Sequence, residues 1–387
     1  MAEGKRIHVA FAQPGGADWS AGAIFYSNVF SALKSLDEEI RPRISIIRQD
    51  SEKENEISAL VDGVITFSAQ SRSRTTIGRV LRNTGNRLVS PLERPLKEAG
   101  VDFLFTTHLP ENWAPPSIPV IAWIPDFQHL RMPEFFSKSD IDGRNCQFLH
   151  LLRKAKTVVV TSKDVRNDLT NFFPAYLEKC KLLNFATTIP AEMLQCEPKE
   201  IADRYGLPER FFYLPNQFWK HKNHLLVLDA LERAVKECPD LTVVATGNLR
   251  DYRHPDFLDE LLQLISTKKL RDNFIVLGLI PRPHTFALMR GCVAVLQPSL
   301  FEGLSMTVAE SAVVGKQVIA SDIDVLRELA SAGTVFFSPN DPAQLAGLLL
   351  KHHREFAGVS DDDYKTAMSN SPLLQRRFAD SLMSAFS

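Results

Sequence analysis

Short apolar runs return at nearly regular intervals through the second half of the chain, and that rhythm restricts the fold more than any other feature. The runs are Phe211–Leu214, Leu241–Thr246, Phe274–Leu277, Val293–Leu296, Gln317–Ala320 and Thr334–Phe337. Each has strand length, and the stretches between them read as helices, so the pattern predicts an α/β fold with a doubly wound parallel sheet. The first half has the same layout, with strands expected at Arg6–Gln13, Arg43–Arg48, Gly63–Phe67, Val101–Thr106, Ile118–Trp123, Thr157–Thr161 and Lys181–Phe185. A chain of 387 residues is too long for one ordinary core and suits two domains. The expected division is 1–185 for the first and 208–365 for the second, joined by a polar linker over 186–207 that contains Pro190 and Pro198. Residues 366–387 form a C-terminal segment, amphipathic and helical over Ser371–Phe386.

Chemistry concentrates in the stretch Gln297–Leu329. A turn at Pro298-Ser299 leads into Phe301-Glu302-Gly303-Leu304-Ser305, a loop that runs into a helix. Met306, Val308, Ala309, Ala312 and Val313 give the apolar face, and Gly315 stops the helix. Gly303 lets backbone approach a ligand closely, and the free N–H groups at Ser305–Thr307 can hold an anion. Glu310 lies one to two turns further along the axis, about 1.5 Å per residue. A phosphate at the helix start would bring an attached ribose near Glu310, with Glu302 facing the other side of a diphosphate.

Pro298-Ser299, Glu302-Gly303, Glu310 and the tail Ser321-Asp322…Arg327-Glu328 together resemble family 4 of the retaining glycosyltransferases, of the bacterial surface-polysaccharide type. The resemblance implies the GT-B fold, two Rossmann-like domains facing across a cleft, and a C-terminal helix that crosses back to the first domain. It implies transfer of a hexose-type sugar from a nucleoside diphosphate sugar to a glycan or lipid-linked hydroxyl, with retention. It covers the second half strongly, and the first half by layout and a few turns.

The resemblance also assigns residues. In the loop Pro215–His224 the family carries a basic pair that neutralises the diphosphate; Lys222 matches the lysine, Asn216 replaces the arginine, and Lys220 is the candidate for the missing charge. Gly247 and Ile280 match turns around the nucleotide base. Gly15 and Gly16 fit loosely a glycine loop that faces the donor, although a plain βα turn explains them as well. Leu304, Ser305, Met306 and Thr307 complete the expected donor site with Glu302, Gly303 and Glu310. Near the end of Ile118–Trp123 many members place a histidine or a His-Asp pair. Here Pro125 stands in the histidine position and Asp126 keeps the second, so Asp126 and His129 are the acceptor-side candidates beside Lys222 and Glu302. A loop histidine bonded locally is the plainer reading of His129.

Other features limit the partners. The net charge of −1 gives no global attraction to nucleic acid. Arg72–Lys97 is locally basic, with Val80, Leu81, Leu88, Leu92 and Leu96 interspersed, and suits either a peripheral contact with an anionic membrane or a solvated face. Five scattered cysteines form no Cys-x-x-Cys pair, which points to a reducing cytoplasm, and neither they nor the histidines show metal-ligand spacing. Asp322-Ile323-Asp324 reads as helix capping, so neither metal nor cofactor is expected beyond the nucleotide-sugar co-substrate. Two other readings of the fold are a nucleotide-sugar isomerase (epimerase) without an acceptor, and a non-catalytic sugar-nucleotide binder. The glutamate pair argues against the first.

Overall fold

A computed structural model describes residues 6–12, 20–49, 56–67, 90–109, 117–358 and 361–387. The chain divides into two compact units, one of Met1–Arg131, Ser137–Ala186 and Leu373–Ser387, the other of Met132–Phe136 and Thr187–Pro372.

The first unit holds a seven-stranded sheet of β1 (His8–Ala12), β2 (Arg43–Gln49), β3 (Gly63–Phe67), β4 (Phe103–Thr106), β5 (Val120–Trp123), β6 (Thr157–Val160) and β7 (Cys180–Leu182). The order is β3-β2-β1-β4-β5-β6-β7, and the paired strands are parallel. On one side, Phe25 and Tyr26 of the helix Ser20–Lys34 pack with Phe11, Phe105 and Trp123; Phe25 stacks on Trp123 with ring centroids 3.7 Å apart. Leu151, Leu152, Val165 and Leu169 cover Val158 and Val160. Burial on both faces is why the central strands read as unbroken apolar runs. The strands are shorter than those runs where flanking residues serve a neighbour: Val101 N–H donates to Leu96 O at the end of the helix Glu93–Glu98, and β4 starts only at Phe103. Phe378 packs against Phe25 and Phe185, and Arg376 pairs with Asp37 at 3.3 Å.

The second unit holds a six-stranded sheet of β8 (Phe212–Pro215), β9 (Val243–Thr246), β10 (Phe274–Gly278), β11 (Val295–Gln297), β12 (Val318–Ser321) and β13 (Val335–Phe337), ordered β10-β9-β8-β11-β12-β13. Side chains alternate across it: Phe212 and Leu214 join Leu228, Leu231 and Leu349, whereas Tyr213 joins Met289, Val308 and Val318. Residues 187–207 are packed in this unit: Ile189, Leu194, Ile201 and Leu207 are buried in the same cluster as Phe286 and Leu288. Their polar composition belongs to the exposed residues between these anchors. The strand order reverses between β8 and β11, and a crevice outside the carboxyl ends of such a pair is where open α/β sheets bind ligands. Among the described residues no helix is long and apolar enough to cross a membrane.

Candidate functional site

The loops after β8 and β11 flank that reversal, and hydrogen bonds lock one to the other. Asn223 adopts a left-handed conformation with φ 60°, which asparagine tolerates better than most residues. Its side-chain amide donates to Pro298 O at 3.0 Å and to Pro339 O at 2.9 Å. Leu300 N–H donates to His221 O at 2.8 Å. The turn Lys220–Lys222 is thereby fixed, and Lys222 Nζ reaches Glu302 Oε1 at 2.6 Å. Both side chains are largely withdrawn from water, at 16% and 7% exposure, so bulk salt screens this pair little. Gln297 Nε2 donates to the same carboxylate oxygen at 2.7 Å and to Ser299 Oγ at 2.9 Å.

Ser305 caps the helix Met306–Val313, its hydroxyl accepting from Val308 N–H at 3.3 Å. Thr307 Oγ1 lies 3.4 Å from Pro215 O, so the helix start sits against the end of β8. Gly315 ends the helix as expected, at φ 66°, where a Cβ would be strained. Gly303, Ser305, Thr307 and Glu310 are buried; Leu304 and Met306 are half-buried. Glu310 accepts from both terminal nitrogens of Arg282, one at 3.4 Å and the other closer. Arg282 follows Pro281 at the start of the helix Arg282–Gly291, and its guanidinium lies 4.5 Å over the Phe286 ring. Two carboxylates at this edge are thus each matched by a cation from a different element, Glu302 by Lys222 and Glu310 by Arg282.

The remaining donor-site candidates fall at or near the same edge. Asn216 is buried, and its Nδ2 has no hydrogen-bond partner among the described residues. A donor left in that state costs about 1–3 kcal/mol, which an arriving acceptor would recover. Gly247 has φ 142°, and a Cβ there would lie 2.4 Å from Asn216 O; the glycine lets the turn after β9 press on the loop after β8. Ile280 is half-buried after β10. Lys220 is directed elsewhere than expected: its Nζ lies 3.7 Å from Glu260 and 5.9 Å over the Phe257 ring. His221, between the two lysines, is held well below its ordinary pKa by burial and then by the charges of Lys222 and Arg253, so it is neutral at pH 7. The Arg253 side chain is largely withdrawn from water, packed over the rings of Trp219 and Phe136 at 4.8 and 4.9 Å.

In the first unit, Asp126 is half-buried after β5, and its Oδ1 accepts from Gln128 N–H at 2.9 Å. His129 is fully buried, with Nε2 3.1 Å from Asn145 Oδ1 and its ring edge-on to Phe148. Burial, reinforced by Arg144, lowers its pKa, while Asn145 and Asp126 raise it in part. Its setting is that of a core histidine supporting the loop that carries Asp126. Next to them Arg131 donates to Asp164 at 3.2 Å and to Asp168 at 3.1 Å. Asp168 is pushed up to about 6, chiefly by burial, with Asp164 and Asp126 adding to the shift against Arg131.

Gly15 and Gly16 lie outside the described residues, as does Arg72–Lys97 up to residue 89. In the described end of that stretch both cations are paired, Arg94 with Glu98 and Lys97 with Glu93, each at 2.7 Å. Capping by Asp322 and Asp324 needs correction: the helix Asp324–Leu329 has no side-chain cap, and Asp322 is drawn into an ion pair with Arg327. Asp324 sits in the first turn, where a carboxylate favours the helix dipole.

Arg282, Gln297, Asn223 and the carboxylates Asp164 and Asp168 were not singled out from sequence. Arg282 could have been, since it opens a helix directly after a strand at the ligand-binding edge. Asp164 and Asp168 stand four apart on one helix, a spacing that puts two carboxylates on one face.

Comparison with known proteins agrees with this layout. Residues 200–354 match the family described as Glycosyl transferases group 1. No curated protein matches the chain. Solved structures match over nearly its full length. HepE from Anabaena in complex with UDP-glucose aligns with TM-score 0.67 at 16% identity, over 98% of this chain and 100% of that one. A glycosyltransferase from Rickettsia africae aligns with TM-score 0.67 at 16% identity, over 98% and 96%. WaaG, a glycosyltransferase involved in lipopolysaccharide biosynthesis, aligns with TM-score 0.62 at 12% identity, over 96% and 95%. The two parallel sheets make the GT-B fold that these structures share.

Proposed function

We propose that the protein is a metal-independent retaining glycosyltransferase of family 4 type, moving a hexose-type sugar from a nucleoside diphosphate sugar to a hydroxyl of a glycan or lipid-linked acceptor. The observation that carries this reading is the pairing of Lys222 with Glu302 and of Arg282 with Glu310 on either side of the capped helix start at Ser305. The diphosphate binds at that helix start, where backbone N–H groups and Lys222 supply positive potential. Glu310 accepts from the ribose hydroxyls, held in place by Arg282, and Glu302 faces the sugar. As the glycosidic bond to the diphosphate breaks, Lys222 stabilises the leaving oxygen. The acceptor oxygen attacks the same face, and its proton passes to that departing oxygen. Asp126 orients the acceptor hydroxyl, with His129 as a positioning residue. The protein's contribution is placement and charge stabilisation.

The HepE complex makes UDP-glucose the first donor to test, and the WaaG likeness favours a polysaccharide or lipopolysaccharide acceptor. On this reading the protein works in the cytoplasm, with a peripheral contact to anionic membrane through Arg72–Lys97. The test is incubation with labelled nucleotide sugars, with and without an extract of lipid-linked glycans, in the presence of EDTA. Acceptor-dependent transfer giving an α-linked product from an α-linked donor is expected. Conversion of the donor without acceptor would mark an isomerase, and binding without turnover would mark a sugar-nucleotide binder. Loss of activity in EDTA restored by manganese would overturn metal independence. Vesicle sedimentation with phosphatidylserine, weakened by salt, is the expected sign of the membrane contact.

A further inference from the structure

At the other edge of the second unit's sheet, three side chains of different chemistry come together. Cys238 and Asp240 flank Pro239 just before β9, and His353 lies in the last turn of the helix Pro342–Glu355. Cys238 Sγ lies 3.1 Å from Asp240 Oδ1, and His353 Nε2 lies 3.6 Å from Asp240 Oδ2. All three potential ligand atoms fall within 4.8 Å of one another. Among the described residues this is the group of His, Cys and carboxylate side chains with such spacing.

We propose that Cys238, Asp240 and His353 bind one divalent ion of the zinc type. The donor set is one thiolate sulfur, one imidazole nitrogen and one carboxylate oxygen, which suits a borderline-soft ion far better than magnesium or calcium. With zinc–ligand bonds of about 2.0–2.3 Å in tetrahedral geometry, neighbouring ligand atoms stand roughly 3.2–3.8 Å apart. The observed separations need only small side-chain adjustment to reach that range.

Two further observations point to a ligand. His353 is only 4% exposed, and its Nε2 is already turned toward the Asp240 carboxylate at 3.6 Å. Asp240 is 79% exposed, which leaves a route for the ion and a fourth position for water. The cations close by are engaged elsewhere: Arg354 pairs with Glu237 at 3.0 Å, and Arg210 donates to the His353 carbonyl at 3.5 Å. Binding replaces the proton that Cys238 now donates to Asp240, and that proton goes to solvent.

The ion would clip the chain after the helix His224–Ala234 to the end of the helix Pro342–Glu355. These helices already share one core through Leu228, Leu231, Leu345 and Leu349. The site lies at the N-terminal ends of the strands, whereas the proposed donor site lies at their C-terminal ends. Its role is therefore structural, and it is compatible with transfer in EDTA.

The test uses the full chain, stripped with chelator and titrated with cobalt(II) as a spectroscopic probe, then with zinc as competitor. One equivalent of cobalt should bind with a thiolate-to-metal charge-transfer band that zinc abolishes. Cys238→Ser should remove the band and weaken zinc binding by about tenfold or more, and Asp240→Asn and His353→Gln should weaken it comparably. Cys180→Ser and Cys196→Ser should leave it intact. Zinc should raise the melting temperature of the parent and not of Cys238→Ser. Should His353→Gln misfold, the more exposed Cys238 and Asp240 variants decide alone. Absence of saturable binding, or equal binding by Cys238→Ser, would overturn the proposal.

Discussion

Glu310→Ala is expected to weaken binding of the nucleoside diphosphate by about one to two orders of magnitude. The carboxylate is 4% exposed, so in the complex its bonds to ribose hydroxyls would form almost out of water. A hydrogen bond to a charged group of this kind contributes about 1.5–3 kcal/mol, and each 1.4 kcal/mol is about a factor of ten in affinity. The substitution releases Arg282, whose side chain is already 40% exposed and can be solvated. The reverse change differs. Arg282→Ala strands a buried carboxylate, and removing one partner of a fully buried pair costs about 3–5 kcal/mol, less here because Arg282 is partly solvated. Glu310→Ala should therefore show chiefly a binding defect and Arg282→Ala chiefly a stability defect. Calorimetric titration with UDP, ADP and GDP, alongside thermal melts, separates the two. Unchanged affinity of Glu310→Ala for the nucleotide that binds the parent would refute the ribose assignment.

Gly247→Ala should lower stability by about 1–3 kcal/mol or more, since its Cβ would meet Asn216 O at 2.4 Å at a φ of 142°; an unchanged melting temperature would contradict the close approach. Asp168 has a folded pKa of about 6, raised from 3.8. Stability from its protonated form is present below about pH 4 and lost as the pH rises through about 6, a change of order 3 kcal/mol. The advantage of Asp168→Asn over the parent should thus grow between those values and then level off, and a pH-independent difference in thermal melts would refute it. Asp126→Asn should reduce turnover by about 10²-fold with nucleotide affinity preserved; full activity would place the acceptor chemistry elsewhere.

The strands were legible because a sheet buried on both faces demands uninterrupted apolar runs, and Phe212–Pro215 and Val318–Ser321 stand out for that reason alone. The helix from Met306 was legible from Ser305 before it and Gly315 after it. Long-range partners were not. Nothing local says that Arg282 will meet Glu310, or that Asn223 will hold the Pro298 carbonyl, because each contact depends on which strands become neighbours. Lys220 shows the same limit: two residues from Lys222, it is turned toward Glu260 by the backbone of a short helical turn. Residues 187–207 looked like a linker because their few apolar anchors are spaced among exposed polar residues, and only the helix Arg282–Gly291 reveals what those anchors cover.

The central claim is that Lys222 stabilises a departing diphosphate, and single-turnover transfer by Lys222→Ala tests it most directly. The charge is needed most as the bond breaks, so turnover should fall by roughly 10²–10³-fold, in the range for removing a group that stabilises developing negative charge. Nucleotide affinity should fall far less. Transfer at the parental rate by Lys222→Ala would contradict the account.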